Sequence, residues 1–366
     1  MVTRRNFAHG LAGLGLAGAP LAACAPGPRY EDAVRRTWRL IEGEGPGLPV
    51  RALAHAATLA ANSHNTQPWR FEAGADTIRI RPDLTRRTPV VDPDDHHLFA
   101  SLGCAAETLL QAAPHYGWAG VLAGMEPDGA LRLAFARAPA AQAPLAAAIP
   151  RRASTRGEYD GQPLAPALLA ALEGAERGAA GGAAELLMMT DRRRLEQATE
   201  FIVQANARQV RDAAFRLELK QWIRFDGAEA ARRGDGLYAA ASGNPTLPRA
   251  LGEVAFELAF TEKGETDKIV RQMRSSAGLA VFSAARNDPV GWVEAGRAYT
   301  RFALAATAAG LKTAFLNQPV EDAPTRAAFG DWLGLGGRRP DLVVRFGRGP
   351  GLPRALRRPI NEVLVA

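Results

Sequence analysis

Cysteine is nearly absent from the chain. Cys24 and Cys104 are the only two among 366 residues, which excludes a four-thiolate zinc site and leaves room for one disulfide at most. Two signature loops are also missing. No G-x-x-x-x-G-K-[ST] phosphate loop and no G-x-S-x-G elbow occurs, so the simplest nucleoside-triphosphatase and serine-hydrolase readings fall away. The 37 glycines and 25 prolines follow no strict period, which excludes a collagen-like chain. With 47% hydrophobic and 23% charged residues, what is left is an ordinary globular composition. The length suits about two domains, or one large fold built from two halves.

The balance of 45 basic against 38 acidic residues leaves a formal charge of +7. The basic residues are overwhelmingly arginine, and their doublets (86–87, 192–193, 232–233, 338–339) are scattered among carboxylates. A phosphate-backbone binder would concentrate them on one face, so nucleic acid is not expected as a partner.

Residues 1–23 read as an address. Thr-Arg-Arg-Asn-Phe at 3–7 precedes an apolar run from Leu11 to Ala23, shorter than the roughly 20 residues a membrane-spanning helix needs. The pattern resembles a twin-arginine export signal. It ends in Leu21-Ala22-Ala23-Cys24, similar to a bacterial lipobox, so the expectation is an exported, periplasmic protein, lipid-anchored at Cys24; simple cleavage to a free protein is the alternative. Cys104 then has no internal partner. Gly13 to Gly18 matches G-x-G-x-x-G in letters, but no strand precedes it, and it reads as signal composition.

After a linker at 24–30, helical patterns are expected around Tyr30 to Ile41, over Leu53 to Ala61, from about Leu98 to Ala113 and from Val293 to Ala309. Strands are expected at 77–81, 131–135 and 342–346. Helices and strands mixed without strict alternation predict an α+β fold. A common ruler runs through the chain: Asp92-Pro93 leads to Gly103 and Gly117, and Asp288-Pro289 leads to Gly296 and Gly310, with the second pair of glycines 193 residues after the first. Chance in an Ala/Gly-rich helix is the alternative to an internal repeat.

Two polar constellations stand out. Asn62-Ser63-His64-Asn65-Thr66-Gln67 places six hydrogen-bonding side chains in a row before Pro68-Trp69. Amides that both donate and accept suit the edge of a heterocycle, and Trp69 suits an apolar wall; a helix C-terminus with local turns and a buried Trp is the structural alternative. The second is Arg151-Arg152-Ala153-Ser154-Thr155-Arg156 between Pro150 and Gly157. In an extended path Arg152, Ser154 and Arg156 face one side, which suits a phosphate; a solvated basic linker is the alternative. Arg357 and Arg358, before Pro359, could add a phosphate ligand or belong to a frayed tail.

Together, S-H-N-T-Q-P-W at 63–69, R-R-x-S-T-R at 151–156, A-F-L-N-Q-P-V-E at 314–321 and Arg357-Arg358-Pro359 resemble the Acg family of FMN-binding nitroreductase-like proteins, from about residue 30 to the end. The resemblance implies a nitroreductase-like fold in which two fused halves, 31–149 and 150–366, form a pseudo-dimer, with a lid-like insertion at about 222–248. It implies that Arg152, Ser154 and Arg156, helped by Arg357 or Arg358, hold the FMN phosphate. Ser63, Asn65 and Gln67 would contact the ribityl and ring, and the backbone of Leu316, Asn317 and Gln318 would approach flavin N5. His64 lies in the loop without an assigned role, and Asn62 stands where related nitroreductases often show Pro.

The implied activity is an FMN-dependent oxidoreductase that passes electrons to a flat small-molecule acceptor such as a nitroaromatic or quinone, with NAD(P)H or another reductant as donor and no protein acid or base required. A non-catalytic protein that stores FMN under its lid is the rival. A metal site at Asp92, Asp94, Asp95, His96 and His97 is disfavoured, because adjacent histidines point apart on a helix.

Overall fold

The computed structural model describes residues 28–139, 143–177 and 183–365. The expected leader, Cys24 and most of the linker lie outside these residues. The chain opens with helices α1 (Pro28–Thr37) and α2 (Val50–Thr58), strands β1 (Trp69–Ala73) and β2 (Thr77–Pro82), helix α3 (His96–Ala112), and strands β3 (Trp118–Met125) and β4 (Leu131–Arg137). A short α4 (Pro144–Ala148) and α5 (Pro166–Arg177) lead to β5 (Ala184–Met189). A largely helical excursion follows: α6 (Arg192–Arg211), α7 (Ala213–Trp222), β6 (Ile223–Arg224), α8 (Gly227–Arg233), β7 (Leu237–Tyr238), α9 (Arg249–Ala259) and α10 (Glu262–Arg274). The chain returns through β8 (Gly278–Ala284), α11 (Pro289–Ala308), β9 (Lys312–Phe315), α12 (Gln318–Glu321), α13 (Ala323–Leu333) and β10 (Leu342–Gly347), then closes with α14 (Ile360–Val363) and β11 (Leu364–Val365). The class is α+β, as expected.

Local pattern accounts for most of these elements. β2 and β4 alternate, with Ile78, Ile80, Leu131, Leu133 and Phe135 buried, as one-sided strands do. In β8 all seven residues are buried, which removes the alternation that would announce a strand, and it was not anticipated from sequence. The helix expected through Ile41 stops at Thr37. The expected insertion at 222–248 falls inside the longer excursion between β5 and β8.

Among the described residues two main sheets result, ordered β11-β1-β2-β4-β3 and β5-β8-β10-β9, beside a two-stranded β6-β7 sheet within the excursion. Setting aside β11, which joins β1 in parallel, each main sheet takes its four strands in the chain order first, second, fourth, third, and every neighbour is antiparallel. Between the sheets α3 and α11 cross, buried on most sides. Glycine permits the approach. A Cβ on Gly103 would stand 2.1 Å from the Val293 carbonyl oxygen, and one on Gly296 would stand 2.0 Å from that of Ala100. Val293 follows Ala100 by the same 193 residues that separate the glycines, so the contact is reciprocal, as contacts about a two-fold axis are.

Candidate functional site

The polar loop after α2 is held in a costly shape. His64, Asn65 and Gln67 have φ of 47°, 53° and 55°, a left-handed region that costs a non-glycine residue about 1–3 kcal/mol and persists where the surroundings impose it. Those surroundings are specific. The last carbonyls of the α2 end are claimed by two guanidinium groups: Arg357 donates to Thr58 at 2.7 Å and Ala60 at 3.1 Å, and Arg152 donates to Leu59 at 2.9 Å. Cations at a helix C-terminus satisfy orphan carbonyls and the negative end of the dipole together. Within the loop, Asn62 Oδ1 accepts from the Gln67 N–H. Asn65 donates to the carbonyls of Gly236 and Leu356, and Gln67 donates to Gly234 while accepting from the Arg358 N–H. Trp69 is fully buried in the core beside Phe71.

A cavity of about 250 Å³ opens beside this loop. Ser63 and His64 form one wall, Ser101 and Cys104 of α3 the floor, and Leu316 to Gln318 after β9 the far side. Arg156 lines it too, and the excursion forms a roof in which Phe215, Leu219 and Phe260 stand beside the charged Glu265 and Lys268 of α10. Six of the residues singled out in the sequence therefore meet here: Ser63, His64, Arg156, Leu316, Asn317 and Gln318. The other six lie elsewhere. Asn65, Gln67, Arg152 and Arg357 hold backbone as described, Ser154 forms an isolated bridge with Thr313, and Arg357 and Arg358 line a wider basic cleft of about 890 Å³ with Arg36, Arg39, Arg232 and Arg233.

Several polar groups on the cavity wall lack protein partners. Among the described residues Asn206 Nδ2 and Gln318 Oε1 are buried without a hydrogen bond, a rare state for which a bound group is the usual remedy. Arg156 has no carboxylate partner there either, and burial lowers its pKa. One donor, one acceptor and an unpaired guanidinium thus stand beneath a roof that also carries the Glu265–Lys268 pair. Asn317 is already engaged, accepting from the Val343 N–H. Neither Asn206 nor the roof carries a sequence signal, since Asn206, Phe215 and Leu219 lie at unremarkable positions of helices and Phe260 directly after one.

Burial lowers His64 to about 4 and raises the Cys104 thiol to about 11, so both face the cavity uncharged at neutral pH, and Cys104 is an inert thiol. His97 and Glu321 also line the cavity. Contrary to the expectation that His96 and His97 point apart, their Nδ1 atoms meet at 3.2 Å. Both rings are buried in the first turn of α3, where their Nε2 atoms turn to Asp341 and Glu321 and their Nδ1 atoms to each other. Asp92 is occupied as a cap, accepting from the His97 and Leu98 N–H groups.

No family model matches the chain. It is 27% identical over 350 residues, 88% of its own length and 96% of theirs, to two Mycobacterium tuberculosis proteins, from strains H37Rv and CDC 1551 / Oshkosh, provisionally named NAD(P)H nitroreductase. Among solved structures it resembles an FMN-dependent nitroreductase from Mycobacterium smegmatis in complex with NADPH (15% identity, 61% of this chain and 99% of that one, TM-score 0.42). It also resembles a nitroreductase with bound FMN from Bacteroides fragilis (17% identity, 56% and 88%, TM-score 0.35).

Proposed function

We propose that the chain is an FMN-dependent oxidoreductase of nitroreductase type that reduces a flat acceptor, such as a nitroaromatic or quinone, by a ping-pong route with NAD(P)H as reductant. The observation that carries this reading is the cavity in which, among the described residues, Asn206 Nδ2 and Gln318 Oε1 are buried without a hydrogen bond and Arg156 has no carboxylate partner. Bound FMN would supply the redox chemistry, taking up hydride and passing electrons on. Arg156 would neutralise the phosphate dianion, Asn206 and Gln318 would meet polar edges, and Phe215, Leu219 and Phe260 would exclude water. The near full-length similarity to the two mycobacterial proteins agrees with this reading.

The matching sheets and the reciprocal α3–α11 contact support two fused halves, 31–149 and 150–366, that imitate a dimer within one chain. Export by the twin-arginine route, with Cys24 lipidated, is proposed from the leader alone. Protein purified from its own host should be yellow, bleach with NAD(P)H in the absence of oxygen and recolour on adding a nitroaromatic. Colourless protein that takes up no added FMN would end the proposal.

One observation favours the storage alternative. The excursion that carries the roof is latched to the body: Asp235, braced by Arg224 at 2.7 Å, pairs with Arg86 at 2.5 Å, beside the bonds from Asn65 and Gln67 to Gly236 and Gly234. Yellow protein that NAD(P)H does not bleach would favour storage.

A further inference from the structure

Four titratable side chains without a role in that reaction form one line from the interior to the cavity wall, joined by two hydrogen bonds and an ion-pair contact. Asp341, just before β10, is 1% exposed; its Oδ2 accepts from the Ala284 N–H at 2.6 Å and its Oδ1 lies 2.9 Å from His96 Nε2. His96 Nδ1 meets His97 Nδ1 at 3.2 Å, and His97 Nε2 stands 3.3 Å from Glu321 Oε1. Glu321 Oε2 accepts from Gln209 Nε2 at 2.6 Å. Only the His97–Glu321 end reaches the cavity. The Trp292 ring, T-shaped to His96 with centroids 5.4 Å apart, helps to shield the inner end.

Proton counting shows what such a line can do. Two facing imidazole nitrogens bond only by sharing one proton, so three gaps hold three protons. In one arrangement Asp341 is protonated, both imidazoles are neutral and Glu321 is ionised. In another both imidazoles have switched tautomer, Asp341 is ionised and Glu321 is protonated. In a third, His97 is cationic and both carboxylates are ionised. Each arrangement has a net charge of −1 and keeps one proton in each of the three contacts, so moving a proton from the buried end to the cavity end leaves none of them empty.

We propose that Asp341, His96, His97 and Glu321 are a proton relay that delivers one proton to the ligand reduced in the cavity, with Glu321 as the group that meets it. The proposal rests on the reductase reading. An acceptor that gains an electron pair from the nicotinamide reductant becomes basic at oxygen, and the new O–H bond forms as the Glu321 O–H bond breaks. That proton has already come down the line, Glu321 having taken it from His97, His97 from His96 and His96 from Asp341, so delivery leaves both carboxylates ionised and two protons on the line. After product leaves, cavity water returns a proton by the reverse passage.

The charges around the line suit this task. His97 faces Glu321, Asp92 and His64, while the inner end faces Arg339 and Arg326, and Arg339 pairs with Asp94 at 2.5 Å. Burial raises the Asp341 carboxyl to about 7. Burial and the neighbouring cations hold His96 well below its ordinary value, whereas Glu321 and Asp92 raise His97 against its burial. A carboxyl that exchanges near neutrality is one that water can refill.

The test follows the rings directly. Long-range 1H–15N spectra of the 15N-histidine-labelled full chain, from about pH 5 to about pH 9, should show His96 and His97 responding to one shared titration. Asp341→Asn, whose amide oxygen can still accept from Ala284, should abolish the shared step. In FMN-loaded protein, Asp341→Asn and Glu321→Gln should each slow quinone turnover about 10-fold or more, with KM and the rate of bleaching by NADH unchanged. Identical histidine titrations in wild type and Asp341→Asn overturn the relay whatever the protein binds. A shared titration in protein that neither holds nor takes up FMN overturns the reductase reading, and the delivery step with it.

Discussion

Arg156 offers the sharpest separation between a phosphate-binding cavity and a merely polar one. Its guanidinium lines the cavity without a carboxylate partner among the described residues, so any ligand anion there gains charge-assisted hydrogen bonds worth about 1.5–3 kcal/mol in total. Arg156→Gln should therefore weaken FMN binding by about 10- to 150-fold. Riboflavin has the same ring and ribityl chain but no phosphate, and its affinity should change by less than about 3-fold. Both constants come from quenching of flavin fluorescence at one fixed ionic strength, since added salt screens the same interaction. Arg156→Lys, which keeps the charge and loses the fork, should fall between. Arg152→Gln is the control: Arg152 holds the Leu59 carbonyl, so its loss should weaken both flavins alike by loosening the loop. Equal losses for FMN and riboflavin in Arg156→Gln, or none, would refute a phosphate at Arg156.

Three further outcomes follow from the packing and charges. Gly103→Ala should cost about 1–3 kcal/mol, read as a lower melting temperature, because its Cβ would press on the Val293 carbonyl oxygen; Gly296→Ala should behave alike, and an unchanged melt in either would contradict the crossing. Asp341 titrates higher when folded than its ordinary 3.8, so the folded state binds the proton more tightly and stability falls as pH rises from about 4 to about 7. By about 1.4 kcal/mol per pH unit, that fall amounts to about 4 kcal/mol, and denaturant titrations at stepped pH should find it largely absent in Asp341→Asn. Asp235→Asn leaves Arg86 and Arg224 without their carboxylate and should speed flavin release in stopped-flow measurements by 10-fold or more, at about 1.4 kcal/mol per decade; an unchanged release rate would mean that the latch does not gate the cavity.

How much of this was legible in the sequence depended on whether the signal was local. β2, β4, α3 and α11 announce themselves through alternation or helical spacing, and six hydrogen-bonding residues before Pro68 marked the loop as unusual. β8 did not, because a strand buried on both faces has no period to read. The partners of Asn65 and Gln67 were equally hidden: they are the carbonyls of Gly234, Gly236 and Leu356 and the Arg358 N–H, and only the folded chain brings those to the loop. The roof residues Phe215 and Leu219 are ordinary apolar positions of α7. The Nδ1–Nδ1 contact of His96 and His97 contradicts ideal helix geometry, and it required knowing that the first turn of α3 is buried.

The proposed duplication has a consequence for stoichiometry, because the two copies of the central helix have diverged where they would face a ligand. Ala100, Ser101 and Cys104 of α3 line the cavity with small, uncharged groups. The positions 193 residues on are Val293, Glu294 and Arg297. Arg297 pairs with Glu294 at 2.7 Å and with Glu107 at 3.0 Å, and Glu107 also pairs with Arg301 at 3.0 Å. An ion cluster of this kind, once desolvated, resists insertion of an apolar ring, since separating its members leaves charges unpaired. The roof is one-sided as well: β5 and β8 are joined by the whole helical excursion, whereas their counterparts β1 and β2 are joined by a tight turn through Gly74 to Asp76. One cavity per chain should therefore bind flavin. Heat release and absorbance of the supernatant should give one FMN per polypeptide, and a ratio of two would show that the second copy of the site is also functional.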